Sequence, residues 1–374
     1  MNEKNLQHTH QFQIDSIDPL GQGVCKNSDK ITFIDKVLPD ESGTAVTWKE
    51  NSKVRFARMT SLESEKVSPL RIKPECSHYQ DCFNCSYQHT SYDSELKFKK
   101  EAFLRMLRAL QYQSTIDLIE APERFYYRNR IQLHYDLHQM KLGFITPQTQ
   151  SITEVPHCLL VRAELKQKLE ELYSHQSWVQ LISNQQPKTG HIELYYLDQN
   201  IQLNVNQPYA FGGFTQVNEV MNQRLKSYLL NFLEKFSPKT ILDLFGGSGN
   251  LTNHYSKAKV TVVDGFQSTQ AQLKDWQTFQ KVDLYSKNEC KNWLLATPKQ
   301  DLLIVDPPRT GIKHLAEILE KTQARHFCYV SCNPSTMIRD VKELENYRCT
   351  HAALVDLFPA THHFESVTVF ERIG

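Results

Sequence analysis

The sequence predicts a multidomain α/β protein. An N-terminal OB-like β-barrel is followed by a small central α/β domain organised around cysteines and then by a C-terminal Rossmann-like, doubly wound sheet. Three observations predict this. Residues 10 to about 70 form short alternating runs broken by turn residues, three closely spaced cysteines follow, and from about residue 206 strand-like apolar runs alternate with helical stretches. A chain of 374 residues exceeds what one ordinary core sustains. With 40% hydrophobic and 23% charged residues it is globular rather than disordered, and a net charge of +1 neither supports nor excludes a polyanionic partner. Met1-Asn2-Glu3-Lys4-Asn5-Leu6-Gln7-His8 carries no apolar stretch of a secretory signal, and no run of about 18 apolar residues occurs to span a membrane. The expectation is a cytoplasmic protein whose nine cysteines stay reduced.

The barrel is read from Phe12-Gln13-Ile14, Ile31-Thr32-Phe33-Ile34, Thr44-Ala45-Val46-Thr47-Trp48 and Val54-Arg55-Phe56-Ala57-Arg58-Met59. Gly21-Gln22-Gly23 and Pro39-Asp40-Glu41-Ser42-Gly43 punctuate them. Strands at this spacing suit a small five-stranded barrel. The order Asp18-Pro19-Leu20-Gly21-Gln22-Gly23-Val24, then Phe33-Ile34, then Val37-Leu38-Pro39-Asp40-Glu41, resembles a TRAM domain, an OB-like RNA-binding module. Arg55, Arg58 and Lys73 supply charge for such contacts, and a purely structural barrel is the alternative.

Cys76, Cys82 and Cys85 stand in a Cys-x5-Cys-x2-Cys spacing. Three soft thiolates on a short loop suit zinc or an iron–sulfur cluster, with a fourth ligand from elsewhere. Residues 93 to about 112 read as a basic amphipathic helix, with Leu96, Phe98, Phe103, Leu104, Leu107 and Leu110 on its apolar side. Lys97, Lys99, Lys100, Arg105 and Arg108 are its charges, normally a solvated face. In Arg124-Phe125-Tyr126-Tyr127-Arg128-Asn129-Arg130 aromatics interleave with arginines. That pattern suits stacking on single-stranded RNA with phosphate pairing, or equally a strand whose Phe125 and Tyr127 pack inward.

In the C-terminal half, Val217 to Phe236 reads as a helix. The strands are Thr240 to Phe245, Lys259 to Asp264, Asp301 to Asp306 and His326 to Ser331. Gly246-Gly247-Ser248-Gly249-Asn250 after the first strand is neither the dinucleotide fingerprint nor a phosphate-cradling loop. Its glycines let the backbone approach a ligand, and Asp264 at the end of the next strand suits paired ribose hydroxyls. Three further segments follow strand-like runs: Val305-Asp306-Pro307-Pro308-Arg309, Val330-Ser331-Cys332-Asn333-Pro334 and Phe358-Pro359-Ala360-Thr361-His362-His363-Phe364-Glu365. Carboxyl ends of strands are where open α/β sheets bind ligands. A cysteine there is usually a small buried hydrophobe, as Cys328 within its strand should be, but Cys332 stands among acidic partners.

These segments together resemble the uracil-C5 RNA methyltransferase family, over nearly the whole chain. The resemblance implies S-adenosylmethionine as methyl donor, bound by Gln216, Phe245, Asn250, Asp264, Asp283 and Asp306. Gln216 could instead cap the following helix. It implies a [4Fe–4S] cluster on Cys76, Cys82, Cys85 and Cys158, with Phe83-Asn84 replacing the Gly-Gly of many relatives. Residues 1–72 would be the TRAM domain and 73–92 with 120–205 the central domain. Residues 93–119 with 206–374 would be the methyltransferase domain.

The chemistry expected from the resemblance is covalent. Uracil C5 is too weak a nucleophile to take a methyl group unaided. A thiolate adding at C6 makes C5 carbanion-like, and a base must later remove the C5 proton. Cys332 is the nucleophile, Glu365 the base and Asp306 the group that organises the site. His362 and His363 rival Glu365 on acidity alone, and the retained Phe-Pro-x-Thr-x-His-x-Glu pattern decides for Glu365. The target uridine must be unpaired or flipped out. The substrate expected is 23S rRNA, acted on by a monomer, with a tRNA uracil-C5 methyltransferase as the alternative. Of two rivals, an amino-methyltransferase would need no thiol, and an RNA-binding protein with a vestigial transferase domain would have little reason to keep Cys332, Glu365 and Asp306.

Overall fold

The computed structural model describes residues 8–26, 29–146, 149–182, 187–209, 215–266 and 273–373. The signal-free N-terminal reading at residues 1–7 and Phe214, next to the Gln216 motif, lie outside them. The chain divides into two compact units. One comprises residues 1–102, 122–207 and 358–363, the other 103–121, 208–357 and 364–374.

The first unit holds two sheets. Strands β1 (Thr9–Gln13), β2 (Ser16–Ile17), β3 (Gly23–Cys25), β4 (Ile31–Asp35), β5 (Ser42–Glu50) and β6 (Val54–Leu62) form one, in the order β1-β5-β6-β4-β3-β2. Six strands replace the expected five because the first is bent. The Ile14 amide donates to Glu41 O at 2.9 Å and the Asp15 amide to Val24 O at 2.9 Å, so one continuous segment supplies both ends of the sheet. Inward Phe12, Ile14, Ile34, Val37, Ala45 and Ala57 fill its core, as period-two alternation requires. At Gly23 the Val37 side chain lies 2.3 Å from where a Cβ would stand, leaving no room for one.

The second sheet joins β8 (Arg130–Asp136), β9 (Lys141–Ile145), β10 (Ile152–Thr153), β11 (Thr189–Leu197) and β12 (Asn200–Val205), in the order β10-β9-β8-β11-β12. Helix α2 (Ala163–Tyr173) packs Leu165, Leu169 and Leu172 into the same core as Leu133, Ile192 and Trp178. Helix α1 (Tyr92–Leu107) starts where Ser91 Oγ accepts the Ser94 amide at 3.2 Å. The solvated basic face expected of it is incomplete. Lys99 is buried and pairs at 2.7 Å with Glu95 one turn earlier, because the Glu95 carboxylate is itself inside and needs a cation there.

The second unit is one eight-stranded sheet with the order β15-β14-β13-β16-β17-β19-β18-β7. Its strands are β7 (Asp117–Ile119), β13 (Thr240–Leu244), β14 (Lys259–Asp264), β15 (Gln277–Lys281), β16 (Leu302–Val305), β17 (His326–Ser331), β18 (Tyr347–Val355) and β19 (Glu365–Arg372). From β15 to β17 all neighbours are parallel, and β19 enters antiparallel between β17 and β18. Strands such as Leu302-Leu303-Ile304-Val305 are buried at every position, the signature of a covered parallel sheet. The interspersed helices are α3 (Glu219–Phe236), α4 (Lys287–Ala296), α5 (Leu315–Thr322) and α6 (Pro334–Val341). The α/β alternation expected after residue 206 is therefore present. No helix among the described residues is long and apolar enough to cross a membrane.

Candidate active site

Register sets the site. Leu244 is paired with both Val263 and Val305, Asp264 with Lys281, and Val305 with Tyr329. The carboxyl ends of five adjacent parallel strands therefore deliver Phe245, Asp264, Asp283, Asp306 and Cys332 along one edge of the sheet, where ligands bind in open α/β folds. Antiparallel β19 adds the sixth group. Ser331 is opposite Ser366, and Ser366 Oγ donates to Ser331 O at 3.1 Å, so the next step along both strands sets Glu365 beside Cys332.

Each turn has a local cause. Pro307 and Pro308 have no amide to extend β16, and the Asp306 amide is held by Leu244 O at 3.2 Å. After β17, Asn333 donates its amide to Ser331 Oγ at 3.0 Å, and Pro334 opens α6 at a position where a missing amide costs nothing. In the glycine loop, a Cβ on Gly246 would meet the Asp243 carboxyl at 2.8 Å, and Gly249 sits at φ +71. The loop thus lies against the buried Asp243, whose Oδ2 accepts Thr252 Oγ1 at 2.7 Å while its Oδ1 has no hydrogen-bond partner among the described residues.

The charges here are unusually concentrated. Burial, reinforced by Asp264, raises the Asp243 carboxyl to about 7. Burial with Asp243 and Asp264 does the same for Asp306, also about 7. Glu365 is pushed well above the carboxylate range by burial and by Asp306, against the pull of Arg309, and its Oε2 lacks a partner among the described residues. Burial, then the nearby Glu365 carboxyl, pushes the Cys332 thiol up to about 11, with Arg309 opposing. A buried acid poised upward beside a thiol is an acid–base arrangement. Cys328 is fully buried and its thiol is pushed up to about 12 by burial, as a structural cysteine.

The remaining expected ligand-binding residues are each engaged locally. Asp264 accepts the Gly247 amide at 3.0 Å and the Phe266 amide at 2.9 Å, which holds the glycine loop against β14. Asn250 exchanges side-chain hydrogen bonds with Asn222 of α3 at 2.9 and 3.2 Å. Asp283 is exposed and accepts the Tyr285 amide at 2.9 Å. Phe245, at φ +59, lies 5.6 Å from the Tyr285 ring. Gln216 is half-buried, and the helix cap is made by Asn218, whose side chain accepts the Met221 amide at 3.2 Å. Capping is therefore not Gln216's task.

In the first unit Cys76, Cys82, Cys85 and Cys158 line one cavity with His78, Tyr79 and Gln88. All four thiols are free. Burial raises Cys82, Cys85 and Cys158, the last to about 11, and each thiol feels others of the set. Lys36 ties the loop, donating to the carbonyls of Tyr79, Gln80 and Cys82. No group of three or more His, Cys, Asp or Glu side chains among the described residues is arranged as around a single metal ion.

The arginine-aromatic segment is corrected by the structure. Arg124 pairs with Glu95 at 2.9 Å and Arg130 with Glu193 at 2.8 Å, while Arg128 is half-buried near Cys158 and Cys85. Phe125 and Tyr127 pack against the core of Tyr79, Cys85, Leu160 and Ala360. Arg124 and Arg130 thus neutralise internal carboxylates and are not free for phosphate. Arg55 and Arg58 are likewise paired, with Asp29 and Glu50 and with Asp81.

Several residues at the sheet edge carried no readable signal: Asn222, Gln277, which donates to Gly249 O at 2.9 Å, and Asp340, which accepts Tyr329 Oη at 2.7 Å and the Ile312 amide at 2.7 Å. They support loops from distant positions, and only Pro307-Pro308-Arg309 hinted that the adjoining loop matters.

Residues 281–373 match the family model described as tRNA (Uracil-5-)-methyltransferase. The chain is 29% identical to the 23S rRNA (uracil(1939)-C(5))-methyltransferase RlmD of Vibrio parahaemolyticus, covering 98% of this chain and 97% of that one. It is 27% identical to the protein of the same name from Shewanella frigidimarina, with the same coverage. The tRNA (uracil-54, C5)-methyltransferase of Pyrococcus abyssi, solved with S-adenosyl-L-homocysteine, shares its fold at a TM-score of 0.71 and 19% identity, over 96% of this chain and 100% of that one.

Proposed function

We propose that the chain is a member of the uracil-C5 RNA methyltransferase family and that it methylates C5 of a uridine in 23S rRNA, using S-adenosylmethionine. The single observation that carries the mechanism is the placement of Cys332 next to Glu365 at the β17–β19 edge, beside Asp306. Cys332, as thiolate, adds to C6 of the ring, and the C5=C6 electron pair moves toward C5 and O4. S-adenosylmethionine, when bound, supplies an electrophilic methyl group to C5. Glu365 then takes the C5 proton, and the electrons of that bond expel the sulfur and restore the double bond. The raised pKa of Glu365 makes its carboxylate, once ionised, a stronger base than an exposed one. Asp306 orients the site through hydrogen bonds. The glycine loop, with the partnerless Asp243 Oδ1 beneath it, suits a ligand bearing donors. Gln216, Phe245, Asn250, Asp264, Asp283 and Asp306 would hold it.

Cys332→Ala is expected to abolish methyl transfer while leaving cofactor affinity within a few-fold, and residual turnover within about tenfold of wild type would remove Cys332 from the nucleophile role. Glu365→Gln should stall after methyl transfer. It keeps shape without basicity, so a gel-stable protein–RNA adduct carrying labelled methyl accumulates with ordinary RNA. Full turnover, or no adduct with normal RNA and cofactor binding, would move the base to His362 or His363. Ribosomal RNA is favoured over tRNA by relatives so named that align end to end. Mass mapping of both RNAs from a deletion strain decides.

The cysteine cavity fits a [4Fe–4S] cluster held by Cys76, Cys82, Cys85 and Cys158. Four thiols share a cavity whose other walls include Phe144, Val155, Leu159 and Leu160, with half-buried Arg128 nearby, its Nε lacking a partner among the described residues, to offset cluster charge. A multi-iron cluster separates its thiolates more than one ion does, which reconciles a shared cavity with the absence of a single-ion arrangement. Iron and acid-labile sulfide in anaerobically purified protein, lost in Cys85→Ser, test this. The bent-strand barrel over residues 1–72 supports a TRAM-type module. The remaining bounds proposed are 73–92 with 120–205 for the central domain and 93–119 with 206–374 for the transferase.

A further inference from the structure

We propose that Asp340 is a positioning residue, whose carboxylate sets where Asp306 stands relative to Cys332. The inference rests on the reading of those two residues as parts of the reacting site. Asp340 is the next-to-last residue of α6 (Pro334–Val341), the helix that opens two residues after Cys332. Its side chain is only 2% exposed, so its hydrogen bonds are made to protein rather than water. One oxygen, Oδ2, accepts the Ile312 amide at 2.7 Å and the Tyr329 hydroxyl at 2.7 Å. Ile312 belongs to the loop that leaves Asp306 at the end of β16, and Tyr329 to β17, the strand that leads to Cys332. A single enclosed acceptor therefore joins the two chain segments that carry the two groups. The other oxygen, Oδ1, accepts Arg339 Nε at 3.0 Å, and Arg339 Nη2 donates to Thr310 O at 2.7 Å, a second fastening of the same loop.

The loop is shaped for this contact. Gly311 stands at φ +78 and donates its amide to Pro308 O at 2.8 Å, which closes a turn and returns Ile312 to α6. A Cβ at Gly311 would overlap Asp340 Oδ2, so a glycine is what lets the turn close against the carboxylate. Arg309 O accepts Asn333 Nδ2 at 3.3 Å and Thr336 Oγ1 at 3.0 Å, so the start of α6 holds the loop as well as its end. On the other side Tyr285 Oη donates to Gly311 O at 2.8 Å, and the Tyr285 ring faces Phe245 among the expected cofactor residues. Burial, then Asp340, pushes the Tyr329 hydroxyl well above the usual phenol range, so it stays protonated and keeps donating. The need for a tether lies in the acidic group itself. Asp306 is repelled by Asp243 and Asp264, and a hold from outside that group opposes the displacement of its loop.

Two variants test this. Asp340→Asn keeps the shape of the side chain but turns an amide donor toward groups that are themselves donors. Tyr329→Phe removes one hydroxyl and leaves Asp340 in place, so it carries the test if Asp340→Asn fails to fold. In each, kcat for methyl transfer should fall by about tenfold or more, with KM for RNA and for S-adenosylmethionine within about threefold of wild type. The double variant should lose little more than the worse single one, because both act through the same oxygen. Hydrogen–deuterium exchange, without RNA or cofactor, reads the tether directly. Amides of residues 306–312 should exchange about tenfold faster in either variant, while those of β14 stay unchanged. Unchanged exchange at 306–312 overturns the proposal. Faster exchange with a normal kcat makes Asp340 purely structural and overturns it too, as does a loss confined to KM, which would set the loop against RNA. Wild-type protein that methylates no uridine sinks the uridine reading, and faster exchange at 306–312 in its variants then keeps the tether.

Discussion

Two clusters of buried charge differ in how they are neutralised. In the first unit Glu95 is fully enclosed and meets Lys99 at 2.7 Å, Arg124 at 2.9 Å and the Ala360 amide at 2.7 Å. In the second, Asp306 is repelled by Asp243 and in turn repels Glu365, Asp243 and Glu365 each keep a carboxylate oxygen without a donor among the described residues, and Arg309 is the cation acting on Glu365. The first arrangement fixes backbone. It clamps the turn around Ala360, whose carbonyl accepts the Ser86 and Tyr87 amides at 2.9 and 3.1 Å. The second stores unfavourable charge, which is useful only if a ligand or a proton relieves it. Burial alone therefore does not mark a functional acid; burial without a partner does.

The comparison breaks most severely at Glu95. Glu95→Ala leaves Lys99 and Arg124 beside a missing anion and should lower unfolding free energy by about 3–5 kcal/mol in urea titrations. An effect under about 1 kcal/mol would put both cations in contact with water. The pH dependence comes next. Asp243 has a folded-state value of about 7 against an ordinary 3.8, so the folded form binds the extra proton between those values. Its contribution is therefore present below about pH 4 and is lost as pH rises through about 7. Asp243→Asn should flatten that part of the stability profile, and an unchanged slope would contradict the burial-raised carboxyl. Asp306→Asn removes one member of the repelling set and should raise stability by about 1 kcal/mol while methyl transfer collapses, the reverse sign of Glu95→Ala. The smallest effect belongs to an exposed pair. Lys168→Ala, which releases Glu171 from a 3.1 Å contact, should change stability by no more than about 0.5 kcal/mol.

The strands of the second unit were legible because fully apolar runs such as Leu302-Leu303-Ile304-Val305 have few other uses, and Lys259–Asp264 and His326–Ser331 begin and end where their patterns do. Cys332 and Glu365 were legible as motifs, but their adjacency is a property of antiparallel β19, which no local pattern announces. The arginine-aromatic segment was ambiguous for the same reason. Whether Arg124 and Arg130 face phosphate or carboxylate depends on Glu95 and Glu193, distant in sequence and indistinguishable there from surface glutamates. The barrel's extra strand was hidden in a bend, since alternation runs through Ile14 and Asp15 without interruption.

The entry of β19 between β17 and β18 has a consequence for synthesis. While the chain emerges from the ribosome, β13 to β17 can assemble as a parallel sheet before β19 exists. Until then β17 presents an unpaired edge of Phe327, Cys328, Tyr329 and Val330, a template for pairing with another nascent chain. The strand that covers this edge also carries Glu365, the proposed base. Any copy with an open edge thus also lacks Glu365 beside Cys332, so the proposed site is completed only when the surface most prone to aggregation has been covered.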